Sequence, residues 1–171
     1  MFYTELSTAR LKLRKPILQD APSVQFLRTD PGVNFFVNRP PAETREKAVT
    51  FIEKIRAQIE AQKVHYWSIT VGKKNAMVGA ISLWNFSENK LTAEVGYDLH
   101  PDFQKQGMMS EAIEAVINYG FDLLNLNKIE AFTHHENVNS IKLLTKHGFV
   151  LESGRRDDHN KHNRIYSLKK S

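Results

Sequence analysis

Hydrophobic residues recur with two different periods on either side of a short loop near the middle of the chain. Residues 93–99 alternate between hydrophobic and polar or small side chains, and this period of two predicts a half-buried strand. From Gly107 onward the hydrophobic side chains recur every three or four residues, which predicts an amphipathic helix. Its apolar stripe consists of Met109, Ala112, Ile113, Val116, Gly120 and Leu123. The pattern therefore predicts a strand, a loop and a helix in succession.

The same two periods predict the other elements of the chain. Further strands are expected at residues 10–14, 66–71, 77–83, 128–133, 149–152 and 164–169. Further helices are expected at about residues 19–28, after Pro40 and Pro41, and at residues 137–147, where Gly148 ends the last helix. Strands outnumber helices and the first half of the chain is hairpin-like. We therefore expect an α/β (α+β) fold, with a mixed sheet flanked by helices.

Size and composition fit one domain spanning residues 1–171. A chain of 171 residues can bury a sizeable core, and 41% hydrophobic with 25% charged residues is ordinary for a globular protein. No apolar run approaches the roughly 20 residues of a membrane span. The N-terminus has no basic stretch leading into an apolar one, so we expect a cytoplasmic protein without a secretory signal. The absence of cysteine excludes disulfides, thiolate metal ligands and an acetyl-cysteine intermediate.

The net charge of +5 raises the question of an anionic partner. Lysine and arginine are scattered along the chain rather than massed on one predicted helix, which disfavours a nucleic-acid-binding module. The basic group formed by Arg155, Arg156, Lys161 and Arg164 is interrupted by Asp157 and Asp158. We interpret it first as a solvated loop and second as a patch for an anionic partner.

The loop at residues 101–107 has the features of a phosphate-binding turn. It contains a glycine and leads into a helix N-terminus, where free backbone N–H groups and the positive dipole end attract phosphate. By itself, one glycine before a helix more often marks a simple tight turn. The surrounding segments add specificity: residues 94–97 (Glu-Val-Gly-Tyr) upstream, and residues 136–140 (Glu-Asn-Val-Asn-Ser) and 146–149 (Lys-His-Gly-Phe) downstream.

In this order and spacing, these segments resemble the GNAT acetyltransferase superfamily. The similarity is greatest to the branch of the ribosomal-protein-alanine N-acetyltransferases, the Rim branch. Gln104 and Gly107 match the family's loop, and residues 110–112 (Ser-Glu-Ala) match its usual Thr-Glu-Ala continuation, whereas Gln106 and Met109 depart from the commonest residues. The resemblance implies a mostly antiparallel sheet of about seven strands with helices on both faces. In that sheet, strands 93–99 and 128–133 splay apart.

The resemblance also implies acetyl-coenzyme A as the co-substrate, without a metal ion. Its pantetheine arm would lie in the slot between the splayed strands, and its pyrophosphate would bind the loop. The implied cofactor-binding residues are Tyr97, Asp98, Leu99, Gln104, Lys105, Gln106, Gly107, Met108, Met109, Ser110 and Asn137. Asn137 is expected to serve twice, as the N-cap of the helix that follows it and as a polar contact to the pantetheine amides.

Acetyl transfer to an amine needs a base, because protein α-amines have pKa values near 8 and side-chain amines near 10. It also needs a donor for the departing thiolate. Glu94 is the candidate base, against the simpler reading of a surface carboxylate. Many members of the family place a tyrosine seven residues after the position of Asn137, where this chain has Leu144. Ser140 matches the Rim-branch pattern of Asn, two residues, then Ser, so the resemblance makes it the candidate donor to the sulfur, against the simpler reading of a first-turn serine that bonds its own backbone.

The acceptor site is the least determined part of the sequence. Residues 34–39, 84–86 and 155–164 are expected around it, and they are aromatic or net basic, with Asp157 and Asp158 as their acids. We read His134 and His135 as a bland pair, because adjacent strand residues point to opposite faces and cannot easily share a metal. His159 and His162 are expected in a polar loop, where either could line the acceptor pocket.

These observations predict an N-acetyltransferase that works by direct transfer in a ternary complex. The expected acceptor is a primary amine, with a protein or peptide N-terminus favoured over a small molecule such as a polyamine. A non-catalytic acyl-coenzyme A sensor stays open as an alternative. No membrane or nucleic-acid partner is expected, and the protein is expected to be a monomer or a homodimer.

Overall fold

One eight-stranded sheet forms the centre of the molecule, as described by a computed structural model for residues 3–171. Neighbouring strands are antiparallel except for the fifth and sixth, which are parallel. Across the sheet the order is β1 (Leu6–Ser7), β2 (Leu11–Arg14), β3 (His65–Val71), β4 (Gly79–Trp84), β5 (Thr92–Leu99), β6 (Lys128–His134), β8 (Asn163–Lys169) and β7 (Val150–Leu151). The predicted mixed, mostly antiparallel sheet is confirmed.

Helices cover both faces of this sheet, as predicted. The helices α1 (Ala21–Leu27) and α2 (Arg45–Glu60) pack against Ala80 of β4. The helices α3 (Met108–Asn118) and α4 (Val138–Lys146) pack against Ile81, the next residue of the same strand. Because successive strand side chains point to opposite faces, the two helix pairs lie on opposite sides of the sheet. No helix among residues 3–171 is long and apolar enough to cross a membrane.

One strand was not predicted, and two details of the predicted pattern are wrong. The additional strand is the two-residue β1, which brings the number of strands to eight. The strand expected at residues 149–152 shrinks to Val150–Leu151, whose side chains are exposed at the sheet edge. The apolar stripe of α3 does not extend to Leu123, which is 50% exposed. A π-helical turn at Tyr119–Leu123 follows α3, and its wider winding rotates later residues away from the core.

The sheet opens between its two parallel strands. Only Thr92–Glu94 of β5 pair with Lys128–Glu130 of β6, although both strands continue for several more residues. Beyond this point β6 stays paired with β8 up to the pair His134 and Asn163, while β5 stays paired with β4 up to Leu99 and Gly79. The predicted splay of residues 93–99 from residues 128–133 is confirmed.

Candidate active site

A cavity of about 750 Å³ lies where β5 and β6 separate. Its walls come from residues 94–98 of β5, from residues 131–134 of β6, and from Asn137 and Ser140 at the start of α4. The segment before α2 and the loop before β8 add further walls, and residues of α1, α2, β3 and β4 complete the lining. Both predicted catalytic residues, Glu94 and Ser140, therefore face one space.

Glu94 is the last residue of β5 that pairs with β6, so its half-buried side chain stands at the fork of the two strands. Its carboxylate accepts a hydrogen bond from Nδ2 of Asn85 at 3.3 Å. Burial is the largest influence and raises the pKa of Glu94 to about 7. The Asn85 hydrogen bond opposes this rise, and the negative charges of Asp157 and Glu130 add to it. A carboxylate with a pKa near neutrality suits general-base chemistry.

Ser140 forms a pair of hydroxyl groups with Tyr97. The Tyr97 hydroxyl and the Ser140 Oγ lie 2.6 Å apart, and either group can be the donor. Burial raises the pKa of Tyr97 to about 12, while the bond with Ser140 opposes the rise. Both hydroxyls therefore keep their protons at neutral pH. The pair joins β5 to α4 across the gap in the sheet, so a proton donor is present although residue 144 is a leucine.

Asn137 holds Ser140 in place. The Asn137 side chain accepts a hydrogen bond from the backbone N–H of Ser140 at 3.2 Å, so Asn137 is the N-cap of α4, as predicted. Asn137 also lines the cavity. One residue thus fixes the first turn of α4 and presents a polar group to the gap.

The predicted phosphate loop lies outside the cavity lining, at the N-terminus of α3. Gly107 is the N-cap residue, with a φ of +78° that side chains disfavour, and Lys105 has a φ of +60°. Arg10 of the neighbouring segment donates to the backbone carbonyl of Gln106 at 2.9 Å and forms an ion pair with Glu111 at 2.8 Å. The loop conformation is therefore stabilised by the residue that precedes β2, which lies far from the loop in sequence.

Several of the predicted cofactor residues have structural roles for their side chains. Gln104 donates from Nε2 to the carbonyl of Leu99 at 2.8 Å, which ties the loop to the end of β5. Met108 is buried in the core, and Ser110 shares a hydrogen bond with His147 at 2.8 Å. Any contact of Met108 with a phosphate would thus come from its backbone N–H.

Asp98 is engaged on the other side of β5. Its carboxylate forms an ion pair with Arg39 at 2.9 Å and accepts from the backbone N–H of Ala80 at 3.1 Å. Arg39 in turn donates to the side chain of Asn34 and to the carbonyl of Leu27. This network anchors the segment before α2 over the cavity, and it was not foreseen, because Arg39 and Asp98 lie far apart in sequence.

The acceptor segments expected from the sequence reach the cavity in part. Trp84, Asn85 and residues 36–39 line it, whereas Phe86 packs near the ring of His65 instead. From the segment 155–164 the lining residues are Asp157, His159, Asn160 and Asn163. Of the two histidines expected near the acceptor pocket, His159 and His162, His159 lines the cavity.

The net basic charge expected around the acceptor does not extend to the side chains that line the cavity. Arg155 is not among the lining residues and forms ion pairs with Glu130 and Glu152. The charged side chains that line the cavity are the carboxylates of Glu94, Asp98 and Asp157 and the guanidinium groups of Arg28 and Arg39. Arg39 neutralises Asp98, so the cavity is close to balanced rather than strongly charged.

The expectation that the side chains of His134 and His135 point to opposite faces is wrong. His134 is the last residue of β6 and His135 lies in the turn that follows, where strand alternation no longer applies. Their rings are stacked with centroids 4.7 Å apart, and the ring of His162 lies 5.3 Å from that of His134. His134 also lines the cavity.

Comparisons with known proteins agree with this geometry. Residues 10–150 match the family model described as "Acetyltransferase (GNAT) domain". The uncharacterized N-acetyltransferase p20 of Bacillus licheniformis is 36% identical over 152 residues, which cover 89% of this chain and 85% of that protein. The ribosomal-protein-serine acetyltransferase of Escherichia coli (strain K12) is 30% identical over 80 residues, which cover 47% of this chain and 45% of that protein.

A solved structure extends the similarity to the whole fold. The Microcin C7 self immunity acetyltransferase MccE, solved in complex with acetyl-CoA and AMP, matches with a TM-score of 0.80 at 24% sequence identity. The match covers 95% of this chain and 93% of that one. The sheet, its opening and the helices on both faces are therefore shared with a known acetyltransferase.

Proposed function

The chain belongs to the GNAT acetyltransferase family, and from this premise we propose that it acetylates the α-amine of a protein or peptide N-terminus. The family model and the similarity to Rim-like relatives support an N-acetyltransferase that uses acetyl-CoA as the acetyl donor. The identity of the acceptor and the roles of individual residues are the proposal. One observation carries it. A single cavity at the opening of the sheet contains Glu94 and the Tyr97–Ser140 pair.

The proposed reaction is a direct attack on the thioester. The amine nitrogen bonds to the carbonyl carbon of the acetyl group, and Glu94 takes a proton from that nitrogen, either directly or through one water molecule. The carbon–sulfur bond then breaks, and the electron pair leaves with the sulfur of coenzyme A. The Ser140 hydroxyl donates a hydrogen bond to this thiolate, and the Tyr97 hydroxyl, 2.6 Å from the Ser140 Oγ, supports the charge that develops. The thiolate then takes a proton from solvent while Glu94 releases its proton to solvent, and the amide product and the free thiol dissociate.

Acetyl-CoA would use the gap and the loop together. Beyond Glu94 the edge of β5 is no longer paired with β6, so backbone groups of residues 97–99 are available to the pantetheine amides. The backbone N–H groups around Gly107 at the start of α3 would hold the pyrophosphate. Asn137 faces the cavity between these two places and can contact the same arm.

The charge around the cavity bears on the acceptor. A polyamine carries several ammonium groups, and a site built for it would be expected to surround them with unpaired carboxylates. Of the three carboxylates in this cavity, Asp98 is paired with Arg39, Glu94 is the proposed base, and Asp157 accepts hydrogen bonds from the Asn163 side chain and the His159 backbone N–H. The guanidinium group of Arg28, whose Cζ lies 4.2 Å from the centre of the Phe51 ring, adds a positive charge to the same cavity. An N-terminal peptide brings only one ammonium group at its reacting end. It can also bond its backbone along an open strand edge.

The test compares kcat/KM for short peptides that begin with Ala or Ser against kcat/KM for spermidine, with thiol release as the readout. We expect the peptides to be preferred. A matched peptide with an acetylated N-terminus but an internal lysine controls for acetylation of side chains. A clear preference for spermidine would transfer the proposal to small amines. Binding of acetyl-CoA without turnover of either class would support the sensor alternative instead.

A further inference from the structure

Three histidines meet at the edge of the cavity, and the acetyl-transfer proposal uses none of them. His134 and His135 follow one another at the end of β6, and His162 directly precedes β8. The backbone N–H of His135 donates to the carbonyl of His162 at 2.9 Å, and His134 pairs in register with Asn163. The ladder between β6 and β8 therefore fixes the three backbones side by side.

One ring nitrogen from each residue of this histidine cluster, His134, His135 and His162, lies within 4.8 Å of the corresponding nitrogens of the other two. The rings of His135 and His162 have centroids 6.1 Å apart, and the side chains of both residues are exposed to solvent. Among residues 3–171 this is the one group of three or more histidine or acidic side chains at such distances. The cluster therefore belongs to two segments that the sheet holds next to each other.

The geometry points to a binding site for a divalent transition-metal ion such as Zn²⁺, with one imidazole nitrogen from each member of the histidine cluster as ligands. Imidazole suits Zn²⁺, Cu²⁺ and Ni²⁺, whereas Mg²⁺ and Ca²⁺ prefer oxygen. Three protein ligands leave a fourth tetrahedral position open to water. The sequence does not predict this site, because strand alternation would place the side chains of His134 and His135 on opposite faces of the sheet.

Binding requires small movements of the rings. Nitrogens bound to one tetrahedral Zn²⁺ at about 2.0–2.1 Å lie about 3.3 Å apart, so the three rings must close by roughly 1.5 Å. The rings are now nearly parallel, and rotation about the side-chain bonds of His135 and His162 brings their lone pairs together. In the free protein, Nδ1 of His134 accepts a hydrogen bond from the backbone N–H of Glu136 at 3.0 Å, and metal binding breaks this bond. Ligation through Nδ1 uses the same lone pair, whereas ligation through Nε2 moves the ring proton to Nδ1, which can then no longer accept.

The position of the site links it to the acceptor side of the cavity. The ring of His134 lies 4.9 Å from the ring of Phe36, and both residues line the cavity. Asn160 and Asn163, which flank His162, line it as well. An ion would therefore join two segments of the same wall, and we expect it to stiffen that wall without touching the loop at Gly107.

The test titrates the chelator-treated full-length protein with Zn²⁺ by calorimetry and follows the thermal midpoint. We expect one ion per chain with a dissociation constant in the micromolar range or below, and a rise of the midpoint with Zn²⁺ concentration. Co²⁺ should give the visible absorption of a tetrahedral site. His135→Ala and His162→Ala should each weaken binding by at least about tenfold, because each removes one of three ligands.

His159→Ala is the matched control, since it removes an exposed histidine of the same loop that lies outside the histidine cluster. We expect it to leave Zn²⁺ affinity within about twofold. The inference is overturned if this control weakens binding as much as His162→Ala does. It is equally overturned if the affinity of the wild type matches that of the double variant His135→Ala/His162→Ala, or if Mg²⁺ binds as well as Zn²⁺.

Discussion

The pH dependence of catalysis gives the sharpest test of Glu94 as the base. Its carboxylate must be ionised to accept a proton, so kcat/KM should rise with pH through about 7, where the pKa of Glu94 lies. At pH 6 only about a tenth of the carboxylate is ionised, and we expect kcat/KM there to be about tenfold below its plateau on this account alone. Glu94→Gln should lower the plateau by about 100-fold and remove this inflection.

The acceptor amine titrates close to the same range, because α-amines have pKa values of about 8. Two variants that shift the pKa of the Glu94 carboxylate distinguish its titration from that of the acceptor amine. Asn85→Ala removes the hydrogen bond to Glu94 and should move the inflection to higher pH, while Asp157→Asn removes a nearby negative charge and should move it to lower pH. Neither variant changes the amine, so opposite movements identify the titrating group as Glu94.

The ionisation of Glu94 should also change the free energy of unfolding. Its native pKa of about 7 exceeds the ordinary value of 4.5, so the folded state binds more protons than the unfolded state between these pH values. Ionisation of Glu94 therefore destabilises the fold as pH rises through this window. The cost at pH 8 is at most about 3 kcal/mol and, after allowance for partial solvent screening, about 1–2 kcal/mol.

Glu94→Gln lacks this cost, and it keeps an oxygen that can accept from Asn85. We expect its thermal midpoint to exceed that of the wild type by a few degrees at pH 8 and to equal it near pH 4.5, because about 1 kcal/mol moves the midpoint by roughly 2–4 °C at this chain length. Scanning calorimetry at both pH values measures this. An unchanged rate, a wild-type pH profile or a less stable variant at pH 8 would each refute the reasoning.

Two further predictions concern the cofactor loop and the hydroxyl pair. Gly107→Val places a branched side chain at a φ of +78°, next to Arg10, and should lower coenzyme A affinity at least about tenfold, as measured by calorimetry. Gly72→Val is the control: its φ of +60° in the β3–β4 turn gives similar strain, and the affinity should be unchanged. If Tyr97 and Ser140 act as one unit, Tyr97→Phe and Ser140→Ala should each lower kcat several-fold, and the double variant should be no slower than the slower single variant; additive losses would separate their roles.

Local patterns in the sequence determined most of the elements. The period of two in residues 93–99 predicted β5, and the glycine before an apolar stripe predicted a helix starting near Gly107, where α3 begins at Met108. Asn137 was predictable as an N-cap because its side chain bonds a backbone group only three residues away. The family resemblance added the opening of the sheet, which no local pattern encodes. The limits of α3 were missed, since a π-helical turn depends on packing beyond the helix.

Only the tertiary structure decided the chemistry at the opening of the sheet. The sequence named Glu94, but its pKa depends on burial, on Asn85 and on Asp157, which lies more than 60 residues further along the chain. Ser140 was foreseen without its partner, because Tyr97 precedes it by 43 residues on a different element. The histidine cluster likewise exists only where the end of β6 meets the start of β8. Periodicity records which face a residue presents to its own element, whereas desolvation and distances between charges depend on which elements fold against one another.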